Sequence, residues 1–514
     1  MILRKTPYRT IDEERYFLMG KLLVGWSEVS ITPEKKVRLY GQFAERISEY
    51  VETPITVTAL AVESDGEQMI VCSCDLTSIS NYLMERVRNE VAQRAPELPV
   101  EKVILAATHT HTSHTCANGS MDGFSLSQQI MNQYLPPEKQ YVAKVTADSD
   151  DILTPQEATE FVTDRIAQAI IEAWENRAPG RFATGFGRAA IGMCRRVCYS
   201  DGSAKMWGDV NTAAFTELEG GNDSGIEMLF FYDADGKLTG VAANVCCPSQ
   251  ILEHRHLISA DYWGKVKILL REKYGEDLKV LGLGGPGGDQ CPRDLVRWVN
   301  PETPIDDPNI DRPDYIERDA DPSMFDIKGS WKAGKRIVNE IIDALEEVTE
   351  TKDEAILKHE SLTLDLPLRR VTPKEYEHAC EQMEKFAARV KDHVNFEDNA
   401  AMHVHTGTIM RWNRQHTENI VPTKVHIIRF GNVAIATNPF ELFLDYGNQI
   451  RARSRARQTF LVQLACGSLG YLPTEKAEKG SHYSAYVSSG CVGHAGGEML
   501  VRKTTEEINK FFEK

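Results

Sequence analysis

The segment Val103–Cys116 reads VILAATHTHTSHTC. An apolar, partly β-branched run stops abruptly at Thr108-His109-Thr110-His111, and His114 follows closely. The chain has 14 histidines in 514 residues, so three within six residues is a clustering that packing does not require. Side chains alternate along a strand, so a strand running into this motif points His109 and His111 to one face. Two imidazoles at i and i+2 are a ready chelate for a borderline-soft divalent metal. The plain alternative is a polar strand end whose histidines only form hydrogen bonds.

Four further segments carry reactive side chains, each just after a run that reads as a strand. Val245-Cys246-Cys247-Pro248 offers a thiol beside a proline, suited to a zinc ligand or a nucleophile, or equally to a small buried hydrophobe. Ser259-Ala260-Asp261 follows it. The stretch LGLGGPGGDQCPRD, Leu281–Asp294, satisfies a dinucleotide pattern with Gly282, Gly284 and Gly287. Pro286 and Pro292 break the helix such a site needs, so a nicotinamide site is a weak reading. Its glycines suit close backbone approach and oxyanion donors. Cys291 is expected at a helix N-terminus, where the dipole depresses a thiol pKa. Asn438-Pro439-Phe440-Glu441 places a carboxylate in what reads as an apolar helix start, either a dipole partner or a site residue. Gly470-Tyr471 ends the series. A second histidine pair, His403 and His405, follows an acidic stretch and reads as an exposed strand or loop end, a weaker metal candidate.

The elements that must position these residues alternate. Strand patterns cover 57–62, 69–74, 103–107, 228–231, 278–281, 425–430, 433–436 and 460–464. Helix patterns cover 81–93, 155–177, 263–273, 334–347, 373–393 and 498–512. This predicts an α/β fold, mixed β-sheets packed with flanking helices and the active site at strand ends. Nothing marks a domain boundary, so residues 1–514 read as one domain with insertions near 118–154 and 300–326, of the length seen in lids and binding loops.

Hydrophobic content of 42% and charged content of 26% are those of a globular chain. A formal net charge of −16 argues against nucleic-acid binding. No stretch approaches the roughly 18 apolar residues of a membrane span. The charged N-terminus lacks the apolar run of a secretory signal, and 11 cysteines in no framework spacing read as reduced thiols. A cytoplasmic protein acting on a small molecule, with neither nucleic acid nor membrane as partner, is the expectation; the oligomeric state is open.

Taken in order, these segments resemble the catalytic domain of the neutral/alkaline (non-lysosomal) ceramidases, zinc amidases with a THTHSG-type motif, an SGD segment after a strand-end histidine, a GD-x-SPN loop, a PGEF-like segment and a GY-type segment. The resemblance implies the ceramidase catalytic-domain fold over roughly residues 22–512. It implies Zn2+ held by His109, Cys247, Glu441 and Tyr471. His111 would contact the substrate or assist proton transfer, Tyr483 would bond the substrate carbonyl, and Arg195 and Asp261 would bind substrate. Cys247 stands where the family has a histidine, and Cys291 where it has a serine acting on the amide, so a thiol nucleophile or a zinc-water mechanism is open. The secreted members carry a C-terminal immunoglobulin-like domain; the expectation here is a chain without that domain, acting on a substrate other than ceramide. The implied activity is zinc-dependent hydrolysis of an amide (N-acyl) bond in a small polar molecule. Alternatives are a metal-assisted reaction on a carbohydrate or polyol, or a degenerate binding protein.

Overall fold

The computed structural model describes residues 20–43, 45–117, 126–141, 151–297 and 324–513. Aliphatic and β-branched runs bounded by turns form a nine-stranded sheet. In chain order its strands are β1 (Gly20–Ser30), β2 (Thr56–Ser64), β3 (Glu67–Cys74), β4 (Val103–Ala107), β5 (Ala178–Arg188), β6 (Gly225–Asp233), β7 (Leu238–Val245), β8 (Lys279–Gly284) and β9 (Glu354–Ala355). Their spatial order is β8-β7-β6-β5-β1-β2-β3-β4, with β9 beside β1. A second sheet runs β10 (Leu357–Pro367), β11 (Ile420–Phe430), β12 (Val433–Thr437), β13 (Gln458–Val462).

Parallel neighbours require a crossover, and helices supply it. α1 (Asn81–Arg94) joins the parallel pair β3 and β4. α2 (Pro155–Glu175) follows the first insertion, started by a Thr154–Glu157 capping box with Pro155 at the first helical position. α3 (Asp261–Tyr274) joins β7 and β8, and α4 (Asp326–Glu346), α5 (Pro373–Arg389) and α6 (Phe396–Arg414) come next. α7 (Leu444–Arg453) joins β12 and β13, and α8 (His494–Phe511) ends the described chain. One apolar core spans both sheets and α2, including Leu60, Leu105, Ile166, Phe231, Ile435 and Phe460. Each such side chain contributes about 1.5–3 kcal/mol on burial.

The two sheets meet at the strand ends. The chain leaving β13 bonds to both parallel pairs: Gln463 N donates to Gly284 O at 3.0 Å and Cys466 N to Leu105 O at 2.9 Å. The C-terminal ends of β4, β7, β8, β12 and β13 therefore converge, where open α/β sheets build their sites.

The structure corrects three expectations. His403 and His405 lie within α6, because Asn395 and Asp398 form a capping box ahead of them and Glu397 and Asp398 occupy the first turn. Residues two apart on a helix diverge, and the rings have different neighbours, Phe43 for His403 and His378 for His405. Glu441 lies in a two-residue strand, with α7 beginning only at Leu444. Cys291 is likewise in a two-residue strand, paired with Met193, rather than at the start of a helix. The first insertion contributes a short helix, Leu126–Gln133, packed through Ile130 and Met131 against Met383, Phe386 and Met402. The second lies outside the described residues up to position 323. Among the described residues no helix is long and apolar enough to cross a membrane.

Candidate active site

β4 is buried along its whole length and delivers the histidine motif to the sheet junction. The strand stops at Ala107, and His109 adopts a left-handed conformation with φ of 66°. The turn, rather than strand alternation, brings the two imidazoles together. Their ring centroids are 4.8 Å apart and edge-on, with 3.4 Å between the Nε2 atoms. Asp75 holds the strand end: its buried carboxylate accepts from Lys267 Nζ at 2.7 Å and Thr56 N at 2.9 Å. The threonines between the histidines are anchors, Thr110 and Thr112 hydroxyls both donating to Ser259 O, at 2.8 and 2.9 Å. The Ser259-Ala260-Asp261 segment is thereby tied to the histidine motif.

His109 Nδ1 lies 2.6 Å from Thr77 O. A carbonyl only accepts, so Nδ1 carries the proton and Nε2 is left as a bare acceptor. That Nε2 faces Glu441 Oε2 at 3.4 Å. Glu441 and Tyr471 sit side by side because residues 441–442 pair in parallel with 471–472. Gly288 packs directly on the backbone of this strand: its N donates to Leu442 O at 2.9 Å, and a Cβ there would lie 2.3 Å from Glu441 O. Glu441 and Tyr483 both hydrogen-bond the Tyr471 phenol.

The electrostatics follow from burial and these contacts. Burial pushes the Glu441 carboxyl upward, but the neighbouring His109 ring and the Arg195 guanidinium more than offset it and hold the group below its ordinary range. Burial, reinforced by Glu441, pushes the Tyr471 phenol up. Arg195 is fully buried, and although burial opposes its charge, the nearby Glu441 carboxylate favours it. Its Nη2 donates to Gly288 O at 2.8 Å and to the Tyr471 hydroxyl at 3.3 Å.

The remaining sequence candidates fall around this group. Tyr483 is half-buried, its ring 5.6 Å from Tyr471 and 5.8 Å from Phe43. Cys247 belongs to an apolar cluster, its Sγ 3.5 Å from Pro248 O. Burial, with the Cys291 thiol nearby, raises its pKa well above the usual range. Cys291 is fully buried, and burial pushes its thiol up to about 11 despite Arg195. Asp261 is also fully buried, its carboxylate accepting from Leu252 N at 2.8 Å and Tyr262 N at 2.6 Å. His114 sits inside the fold, its Nε2 2.7 Å from Ile31 O.

Three residues were missed by sequence reasoning. Glu253 is buried with Oε2 3.3 Å from His111 Nδ1, within ion-pairing reach though off the hydrogen-bond line. Arg46 donates to the carbonyls of His111, Tyr40 and Arg255 at 2.7, 3.0 and 3.0 Å. Arg196 forms a two-armed pair with Glu219 at 2.6 and 3.1 Å and donates to Ser481 O and Tyr483 O, both at 2.8 Å. Ser481, His482 and Ser484 all have positive φ, so Arg196 braces the strained loop that presents Tyr483. Of the adjacent arginines Arg195 and Arg196 the resemblance marks only Arg195; which of them faces which way is set by the fold.

No protein-family model matches the chain, and no curated protein matches it. Solved structures do. Neutral ceramidase from Pseudomonas aeruginosa matches with a TM-score of 0.62 at 17% identity, over 96% of this chain and 75% of that one. A ceramidase complexed with C2 matches with a TM-score of 0.61 at 15% identity, over 96% and 76%. The chain has the ceramidase fold. The expectation of mixed sheets with flanking helices, ceramidase-like in arrangement, is therefore met.

Within the ceramidase fold, the donor set can be weighed against a divalent ion. Among the described residues no group of three His, Cys, Asp or Glu side chains is arranged to hold a metal. A set here must include a tyrosine, and His109, Glu441 and Tyr471 provide nitrogen and two oxygens. The bare Nε2 of His109 faces a carboxylate oxygen and another imidazole nitrogen, both at 3.4 Å. Such a concentration of acceptors favours a cation between them. A carbonyl fixing the tautomer from the far side of the ring is also the usual support for a metal-binding histidine. The residues fit the ion.

Proposed function

We propose that this chain is a zinc-dependent hydrolase cleaving an amide (N-acyl) bond of a small polar substrate, with His109, Glu441 and Tyr471 holding the ion. The observation that carries the reading is His109: Nδ1 bound to Thr77 O at 2.6 Å, Nε2 turned to Glu441 and its ladder partner Tyr471. Three protein ligands are the usual catalytic number, and Cys247 is the proposed fourth. The chemistry that bound zinc supplies is Lewis-acid polarisation of the scissile carbonyl.

The chain's own groups do the rest. His111 Nε2 accepts a proton from the attacking water as the C–O bond forms. It returns that proton to the leaving nitrogen as the C–N bond breaks, a role worth about 10²–10⁴-fold. Tyr483, and the Arg195 guanidinium behind Tyr471, stabilise the oxyanion. The free thiols among the described residues support a cytoplasmic location within this proposal.

The test pairs elemental analysis with an N-acyl panel containing 4-nitroacetanilide and N-acetylated amino acids and amino sugars. About one zinc per chain, lost in His109→Ala and in Glu441→Gln, together with cleavage of a panel member, is expected. Zinc stoichiometry in Cys247→Ala decides whether the thiol is the fourth ligand. A zinc-loaded protein that cleaves no N-acyl compound overturns the reaction; absence of zinc with indifference to chelator overturns the metal.

A further inference from the structure

His403 has no part in the reading above, yet the fold carries it to the candidate site on α6. A row of rings leads to it. Tyr483 lies 5.6 Å from Tyr471, Phe43 lies 5.8 Å from Tyr483, and His403 lies 5.4 Å from Phe43, centroid to centroid. The interplanar angles are 72°, 82° and 60°, so no ring lies flat on its neighbour. Phe43, Tyr483 and His403 are each only half-buried.

Both flanks of this row are fixed. On one side, residues 39–41 run along the histidine motif: Leu39 bridges His114, and Tyr40 N donates to Ser113 O at 3.1 Å. Gly41 packs on the His111 ring so closely that a Cβ would stand 2.5 Å from Cγ, and Phe43 follows two residues later. On the other side, α6 is pressed against the loop that carries Tyr483. A Cβ at Gly407, one helical turn after His403, would lie 2.8 Å from Ser488 Cβ. The Thr406 hydroxyl bonds that of Ser127, in the short helix of the first insertion.

The far end of the row is polar. Among the described residues, the His403 side chain has no hydrogen-bond or ion-pair partner. Burial lowers its pKa and no charged group acts on it, so at neutral pH it is an uncharged ring with one donor and one acceptor nitrogen. Such a ring suits a neutral hydroxyl, whereas a carboxylate calls for a cationic partner. We infer that His403 is a specificity-determining residue: it hydrogen-bonds a neutral hydroxyl at the far end of the substrate, while Phe43 and Tyr483 hold an aromatic ring between that hydroxyl and the scissile amide. The substrate class is then a hydroxyaryl N-acyl compound. This rests on the proposed place of Tyr483 at the substrate carbonyl, and adds a residue that no motif in the sequence marked for substrate.

The experiment uses the full chain as purified and titration calorimetry with benzylacetone and its 4-hydroxy analogue, ketones that present a carbonyl with no amide to cleave. The hydroxylated ketone should bind the native chain about fivefold or more tighter, the size of one neutral hydrogen bond. His403→Phe and His403→Leu both remove the polar nitrogens, and in each the ratio should fall to within about twofold of unity. Phe43→Ala should weaken both ketones together. On any cleaved member of the N-acyl panel, a 4-hydroxyaryl form should show the same preference in kcat/KM. A native ratio near unity, no binding of either ketone, a ratio that survives both His403 variants, or binding untouched by Phe43→Ala overturns the inference. If no panel member is cleaved, the hydrolase reading fails while the ketone ratio still decides the role of His403.

Discussion

His109 Nδ1 stands 2.6 Å from the carbonyl oxygen of Thr77, three residues past β3, and this contact decides which ring nitrogen meets Glu441. A neighbouring strand end, rather than the histidine's own strand, sets its chemistry. The position of Thr77 follows from the parallel pairing of β3 with β4, which brings both strand ends to one edge.

Cys291→Ser is expected to retain activity within a few-fold on whichever N-acyl substrate the native chain cleaves. The thiol is fully buried and burial raises it to about 11, so the thiolate is scarce at neutral pH. A loss of a hundredfold or more in kcat, with folding intact, would instead make it the nucleophile.

Gly41→Ala should damage the site well beyond its size. The residue has φ of +108°, and an added Cβ would lie 2.5 Å from His111 Cγ. Backbone strain costs about 1–3 kcal/mol, and the imidazole must shift. Steady-state kinetics should show at least a tenfold fall in kcat; unchanged kinetics would mean that the ring has room to move.

Replacing Arg196 by Met leaves the buried Glu219 carboxylate without its partner and frees the Ser481–Ser484 loop. Breaking one side of a buried pair costs about 3–5 kcal/mol. Urea unfolding should register that loss. The double variant Arg196→Met/Glu219→Met should recover part of it, and a single variant as stable as the native chain contradicts the bracing role.

Acid should weaken the fold through the buried pair His359 and His426. His359 Nε2 and His426 Nδ1 are 2.9 Å apart and buried; burial lowers His359 to about 4 and His426 to about 2. Unfolded histidines take up protons near pH 6.5, so below that the unfolded state binds more protons than the folded one. The stability tied to this neutral pair is complete above pH 6.5 and falls as pH drops toward 4, by up to about 1.4 kcal/mol per pH unit for each ring. Urea midpoints measured between pH 7 and 4.5 should show the slope, and His426→Asn should flatten it. An identical slope in the variant refutes the assignment.

Buried strands were legible where they are apolar throughout. β4, β12 and most of β2, β3 and β11 announce themselves by aliphatic runs. β5 and β10 do not, because each is only partly buried and exposes polar or charged residues, Thr184 and Arg188 in β5 and Lys358, Glu360, Thr363 and Asp365 in β10. α6 was hidden for a related reason: its sequence has no apolar stripe, and the capping residues Asn395 and Asp398 resemble an acidic loop when read alone. Local composition reports burial; it is silent where pairing or a cap does the work.

From the sequence alone His109, His111, Glu441 and Tyr471 are placed just after strands, since reactive residue types follow apolar runs there, whereas Arg195 is marked only by the family resemblance. Only the tertiary structure decided their relations. Two parallel residues put Glu441 beside Tyr471, a carbonyl from another strand fixed the His109 tautomer, and Glu253 came to His111 from 142 positions along the chain. Separation along the chain carries no distance information, whereas sheet order, register and backbone anchors set the ångström-scale contacts on which the chemistry depends.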